Sequence, residues 1–190
     1  LNKSTVSSLV DELLASGFLI EVGANSATSG RPSTLLTINP DLGLVIGIEI
    51  GVTSIKAVLS NIAGKIIWYG SQEINFLDEK TRIIDQVLYL VNCAAESSKT
   101  YGKHLLGLGI TLPGLVNVYE GVLDFAPNLS WRDFSFKDFL EMKTGLPVQV
   151  ENDAHAAALG EHFFGIAAQN HNFIFIILDS GVGSGLFFSG

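Results

Sequence analysis

Asn152 and Asp153 stand side by side where the apolar stretch "LPVQV" (146–150) gives way to the alanine-rich "AHAAALGE" (154–161). A carboxylate at such a seam can accept hydrogen bonds from the hydroxyls of a sugar, or take a proton from one as general base; the amide beside it both donates and accepts. Alternatively, an Asp at the start of a helix serves only as its N-cap. Two further loops, Pro113-Gly114 and "DSGVGSG" (179–185), also follow apolar runs. Ligands of open α/β sheets bind beyond the carboxyl ends of the strands, so the three loops are expected to converge on one crevice suited to a polyol. In "GIEIGVTSIKAVL" (47–59), Gly51 allows a tight turn, and Gly181, Gly183 and Gly185 repeat so that backbone N–H groups can face an anion. Either loop can equally be an ordinary glycine-rich β-turn. "APNLSW" (126–131) offers Asn128 and Trp131, or a plain turn started by Pro-Asn. His155 and His162 lie seven apart, with Glu161 adjoining the second, and no metal-ligand spacing emerges.

The elements that must position these residues are legible in the pattern. From about residue 41 the chain reads βββαβαβαβ. Strands fall in "LGLVIGIEIG", "SIKAVLS" and "GKIIWYGSQEI", a helix over 79–99 has Ile83, Ile84, Val87, Leu88, Val91 and Ala95 on one face, and a buried strand covers 105–111. "SFKD" (135–138) fits the start of a helix that ends before Gly145; "LPVQVE", a helix over 154–164, and a strand, glycine loop and strand follow. This order predicts an α/β fold built on a mixed sheet covered by helices. The first forty residues differ in texture. A helix over 2–16, capped by Asn2 or Ser4 and ended by Gly17, precedes two short strands, 18–22 and 33–38, joined by a loop holding Gly30, Arg31 and Pro32. One face of that helix carries Lys3, Ser4, Thr5, Ser7 and Ser8, which are short enough to let it sit deep in a DNA major groove, while Lys3 and Arg31 can meet phosphates.

Composition narrows the classes. The chain has 190 residues, 47% hydrophobic and only 16% charged, as compact α/β proteins have. No apolar run is long enough to span a membrane. The absence of a leader and the single Cys93 lead to the expectation of a reducing, cytoplasmic setting. A net charge of −8 opposes non-specific nucleic-acid binding by the whole molecule, so any DNA contact must come from a local patch.

Taken together, "LPG", "APNLSW", "VENDAHAAALGE" and "DSGVGSG", in that order after "GIEIGVTSIKAVL", resemble the ROK family of sugar kinases, open reading frames and transcriptional repressors, which share an actin-like ATPase (ribonuclease H-like) fold. The front segment resembles the second half of the winged helix-turn-helix of the family's repressor branch, of the xylose and N-acetylglucosamine repressor type. The resemblance implies two parts, a partial DNA-binding domain over 1–40 and the N-terminal lobe of the sugar-kinase-like domain over 41–190, with a second lobe beyond. It implies that Gly114, Asn128, Asn152 and Asp153 form the sugar site, with Asp153 at the position of the kinase base. It also implies operator DNA and a monosaccharide inducer as partners, a homo-oligomer, no cofactor or metal within this chain, and zinc only in the second lobe. Where the kinases have Asp-x-Gly-Gly-Thr, this chain has Glu49-Ile50-Gly51-Val52-Thr53. Glu49 is one methylene longer and Val52 adds bulk where backbone must approach phosphate, so the expectation is a degenerate phosphate loop and a regulator rather than a sugar kinase.

Overall fold

The computed structural model describes residues 2–25, 33–75 and 78–188. Helix α1 (Lys3–Ala15) starts at Asn2, whose side-chain oxygen accepts from the Thr5 N–H at 3.0 Å, and Gly17, at φ 74°, turns the chain away from it. Strands β1 (Leu19–Asn25) and β2 (Ser33–Ile38) pair antiparallel as a separate two-stranded sheet. Asn39 fastens this unit, donating from Nδ2 to the Gly17 carbonyl at 2.9 Å. No residue of α1 is buried, and Val6 and Leu9 are 45% and 48% exposed.

The hydrophobic core is built by residues between Leu44 and Val150. β3 (Leu44–Ile50), β4 (Ser54–Asn61) and β5 (Ile66–Glu73) form an antiparallel meander; β6 (Leu105–Leu112) and β10 (Val148–Asn152) extend it in parallel on the β3 side, giving the sheet order β10-β6-β3-β4-β5. In β3, Leu44, Ile46, Ile48 and Ile50 alternate into the core. Burying each contributes about 1.5–3 kcal/mol, which fixes the register of the meander, since a one-residue slip would turn all four outward. Helix α2 (Lys80–Thr100) packs on β3, β4 and β5, and α3 (Phe136–Thr144) on β10. The buried side of α2 is Ile83, Val87, Leu90, Val91, Ala94 and Ser98. It is rotated from the expected face, with Ile84, Leu88 and Ala95 only partly covered. Ser135 caps α3, its hydroxyl accepting from the Asp138 N–H at 3.4 Å, and Gly145 at φ 68° ends it, as the sequence predicts.

Two features depart from the expected order. Residues 115–135 hold a small antiparallel sheet of β7 (Leu115–Asn117), β8 (Val122–Ala126) and β9 (Trp131–Ser135), where the sequence pattern predicts only a turn. The last two strands, β11 (Asn172–Leu178) and β12 (Val182–Phe188), do not join the main sheet; they form a hairpin packed on helix α4 (Asp153–Phe164). No helix among the described residues is long and apolar enough to cross a membrane.

Candidate functional site

The loops beyond β3, β6, β10 and β11 meet, together with the turn between β8 and β9, around a cleft of about 520 Å³. Its lining includes Glu49, Gly51, Gly114, Asn128, Asn152, Asp153, Gly181 and Gly183, eight positions singled out from sequence. The reason is topological. β3, β6 and β10 run parallel, so their carboxyl ends lie along one edge of the sheet. Val52, Thr111 and Asp179 also line it.

Asn152 and Asp153 divide the work at the seam in a way the sequence left open. Asn152 is the N-cap of α4. Its Oδ1 accepts from the N–H of Ala154 at 2.9 Å and of His155 at 3.1 Å, and its Nδ2 donates to the Gly114 carbonyl at 2.9 Å. One amide therefore joins the loop after β6 to the start of α4, leaving one N–H for a ligand. Asp153 is the first helical residue, not the cap, and Oδ1 takes only the neighbouring Ala154 N–H at 2.8 Å. Its second oxygen makes no hydrogen bond to a described residue. A carboxylate with spare acceptor capacity in the first turn of a helix is stabilised there as an anion and can receive hydroxyl donors.

Gly114 adopts φ 114°, which side-chain-bearing residues rarely take, and a Cβ there would lie 2.3 Å from the Phe125 carbonyl oxygen. Asn128 sits exposed on a 3₁₀ turn (Pro127–Leu129) between β8 and β9, and a Cβ at Gly181 would come within 3.8 Å of its Nδ2. The two loops thus meet beside the cleft that both line.

The candidate phosphate loops divide. Glu49 Oε1 pairs with Lys56 Nζ at 3.2 Å, across the antiparallel ladder in which the two residues are partners. Lys56 was not singled out from sequence, although a hairpin turning through 51–53 places it opposite Glu49. Thr53 is exposed and outside the lining. Gly183 lines the cleft, but Gly185 does not: a Cβ there would meet the Ala154 carbonyl oxygen and the Ala158 Cβ, both at 2.5 Å. Gly185 is the place where β12 presses on α4, and its glycine serves packing. His162 stacks on Phe187 with ring centroids 4.1 Å apart, while His155 is exposed, with Nδ1 3.5 Å from Glu151 Oε1. Neither lines the cleft.

In the front unit Lys3, Ser4, Thr5, Ser7 and Ser8 are all exposed on α1. The hydroxyls of Ser4 and Thr5 donate to Asn2 Oδ1 at 2.6 and 3.3 Å, which leaves Lys3, Ser7 and Ser8 as the freer part of that surface. Arg31 lies outside the described residues.

Comparison with known proteins gives a consistent placement. The sequence model of the ROK family matches residues 45–190. The xylose repressor of Caldicellulosiruptor bescii is 34% identical over 98% of this chain and 47% of its own length. The crystal structure of a ROK family transcriptional regulator, a homologue of the E. coli MLC protein, superposes with a TM-score of 0.80 at 25% identity, covering 100% of this chain and 48% of that one. A ROK family glucokinase from Streptomyces griseus, solved in complex with glucose and AMPPNP, superposes with a TM-score of 0.70 at 35% identity over 77% of this chain and 45% of the enzyme. The chain spans about half the length of the curated relatives it matches. With its mixed α/β sheet and a cleft at the strand ends, the chain belongs to the ROK family.

Proposed function

We propose that the protein is a sugar-responsive transcriptional repressor: α1 and the β1–β2 hairpin are part of a winged helix-turn-helix, and the cleft binds a monosaccharide effector. The observation that carries this reading is the extent of the likeness. The xylose repressor aligns over 98% of the chain, including its front unit, whereas the glucokinase superposes over 77% and the family match begins at residue 45. A helix and hairpin with exposed serines and a lysine is surface suited to a DNA groove and without use to a kinase. In the cleft, Asp153 and Asn128 would accept and donate hydrogen bonds to sugar hydroxyls, Asn152 would hold the floor in place and contribute its remaining N–H, and Gly114 would shape the wall. A sugar that fits one arrangement of a cytoplasmic homo-oligomer better than another would lower operator affinity by that difference in binding free energy. The test is a titration of the intact protein against the DNA upstream of its own gene, with and without D-xylose or D-glucose. Specific binding weakened by sugar is expected; binding that ignores both sugars overturns the inducer reading.

Within this reading Lys3→Ala weakens operator binding, and the slope of log affinity against log salt falls by about one, because one phosphate contact and its counterion release are lost. An unchanged slope would place Lys3 off the DNA.

A second reading, sugar phosphorylation with Asp153 as base, is favoured by the likeness of the cleft domain to the glucokinase. Against it stand Val52 and the Glu49–Lys56 ion pair, which puts an ammonium beside the carboxylate where a kinase of this family would need its charge for a metal. Phosphoryl transfer depends on such positioning and neutralisation. Sugar-dependent ATP consumption is therefore expected to be absent, and turnover of about 1 per second or faster, as kinases show, would restore the enzymatic reading.

A further inference from the structure

Lys80 opens α2 at a place where a cation is unfavourable, since the first turn of a helix carries the positive end of its dipole. Of the two acids before it, Glu79 is the N-cap residue and Asp78 is taken by Arg82 at 2.7 Å, and Lys80 forms no ion pair with either. Its ammonium instead lies over two rings, 3.8 Å from the centroid of Phe134 and 5.4 Å from that of Trp131. Both rings belong to β9 and pack onward, Trp131 stacked on Phe136 at 6.0 Å and Phe134 edge-on to the same ring at 4.7 Å. Partial burial lowers the Lys80 pKa from its ordinary value, a direction that an attractive contact with the ammonium would oppose. Ammonium–π attraction over a partly desolvated indole and phenyl ring is of the right kind.

Trp131 is also the anchor of the Asn128 turn. It is 5% exposed, pairs with Ala126 across the β8–β9 ladder, and follows Ser130, whose φ of 56° closes the 3₁₀ turn with an N–H bond to the Pro127 carbonyl at 3.1 Å. Whatever fixes Trp131 fixes the base of the turn that carries Asn128 to the cleft, beside Gly181. We propose that Lys80 is a positioning residue for ligand capture: its ammonium clamps Trp131 and Phe134 so that Asn128 is presented rigidly to the cleft. This rests on the sugar-site reading above. It also ties α2, which packs on the strand bearing Glu49, to the turn that carries Asn128.

The test uses Lys80→Met, which keeps the stem and removes the charge, and Lys80→Arg, which keeps the cation. In the intact protein, amide hydrogen exchange of residues 126–131 should accelerate by about 3- to 30-fold in the Met variant, the range expected for one cation–π contact. It should stay near wild type in the Arg variant. Affinity for whichever of D-xylose and D-glucose the wild type binds should fall by a similar factor in Lys80→Met alone, and the fall should vanish in an Asn128→Ala background. Unchanged exchange in Lys80→Met overturns the clamp. Faster exchange with unaltered sugar affinity, or a loss that persists without Asn128, overturns the positioning role. If the wild type binds neither sugar, the sugar-site reading falls and with it the ligand consequence, while exchange still decides the clamp.

Discussion

Gly114→Ala is expected to lower folding stability by about 2–6 kcal/mol, combining backbone strain and overpacking of about 1–3 kcal/mol each. At φ 114° an alanine is strained, and its Cβ would lie 2.3 Å from the Phe125 carbonyl oxygen and 2.9 Å from the Ala126 Cα, both backbone atoms that cannot swing aside. Relief requires β8 to move away from the loop after β6. That shift would pull on the Asn152 Nδ2 bond to the Gly114 carbonyl and on the turn carrying Asn128. Loss of sugar binding should therefore accompany loss of stability. Gly109→Ala is the internal control: it sits in β6, the strand that leads into the Gly114 loop, has no unusual φ, and its Cβ would meet no described atom within 4 Å. Its effect should stay within about 1 kcal/mol, as for a strand glycine replaced without a clash. Chemical denaturation of both variants separates them, and a Gly114→Ala protein as stable as wild type would show that the wall of the cleft yields easily.

Asp153→Asn is expected to leave stability nearly unchanged and to weaken sugar binding by about 1.5–3 kcal/mol, or roughly 10- to 150-fold in Kd, the loss of a charge-assisted hydrogen bond. The structure sharpens this contrast. The cap of α4 is Asn152, so the replacement removes from the helix only a first-turn negative charge, worth about 0.3–1 kcal/mol. The asparagine can still accept the Ala154 N–H that Asp153 Oδ1 receives at 2.8 Å. What it loses is the second carboxylate oxygen, the one that makes no hydrogen bond to a described residue. Calorimetric titration with D-xylose and D-glucose, alongside thermal unfolding, reads both quantities. Equal affinities in wild type and variant would reduce Asp153 to an electrostatic support for the helix.

The local signals in the chain were sufficient for much of this. The apolar runs of β3, β6 and β10, the Ser135 cap and the Gly145 stop are decided within a turn or a ladder step, by period and cap chemistry that act between near neighbours. Because parallel strands share one carboxyl end, those runs also foretold that Gly114, Asn152 and Asp153 would meet at a single cleft, whereas Gly181 and Gly183 reach it from the separate β11–β12 hairpin. The pairing of Glu49 with Lys56 was implicit in the hairpin register. Tertiary structure decided what depends on partners far along the chain. Asn152 rather than Asp153 is the cap, its backbone extended at φ −69° and ψ 142°, and its amide also reaches the Gly114 carbonyl, 38 residues away in the chain. Gly185 is a contact point because α4 lies against β12, and the repeated glycines of 181–185 look alike until that helix is placed. β7 has only three residues and neither β8 nor β9 buries alternate positions, so the three carry no readable period and exist by pairing with one another. Lys80 shows the same limit: its charge at a helix start opposes the dipole, and the two rings beneath its ammonium come from β9, about fifty residues along the chain, where no local pattern could place them.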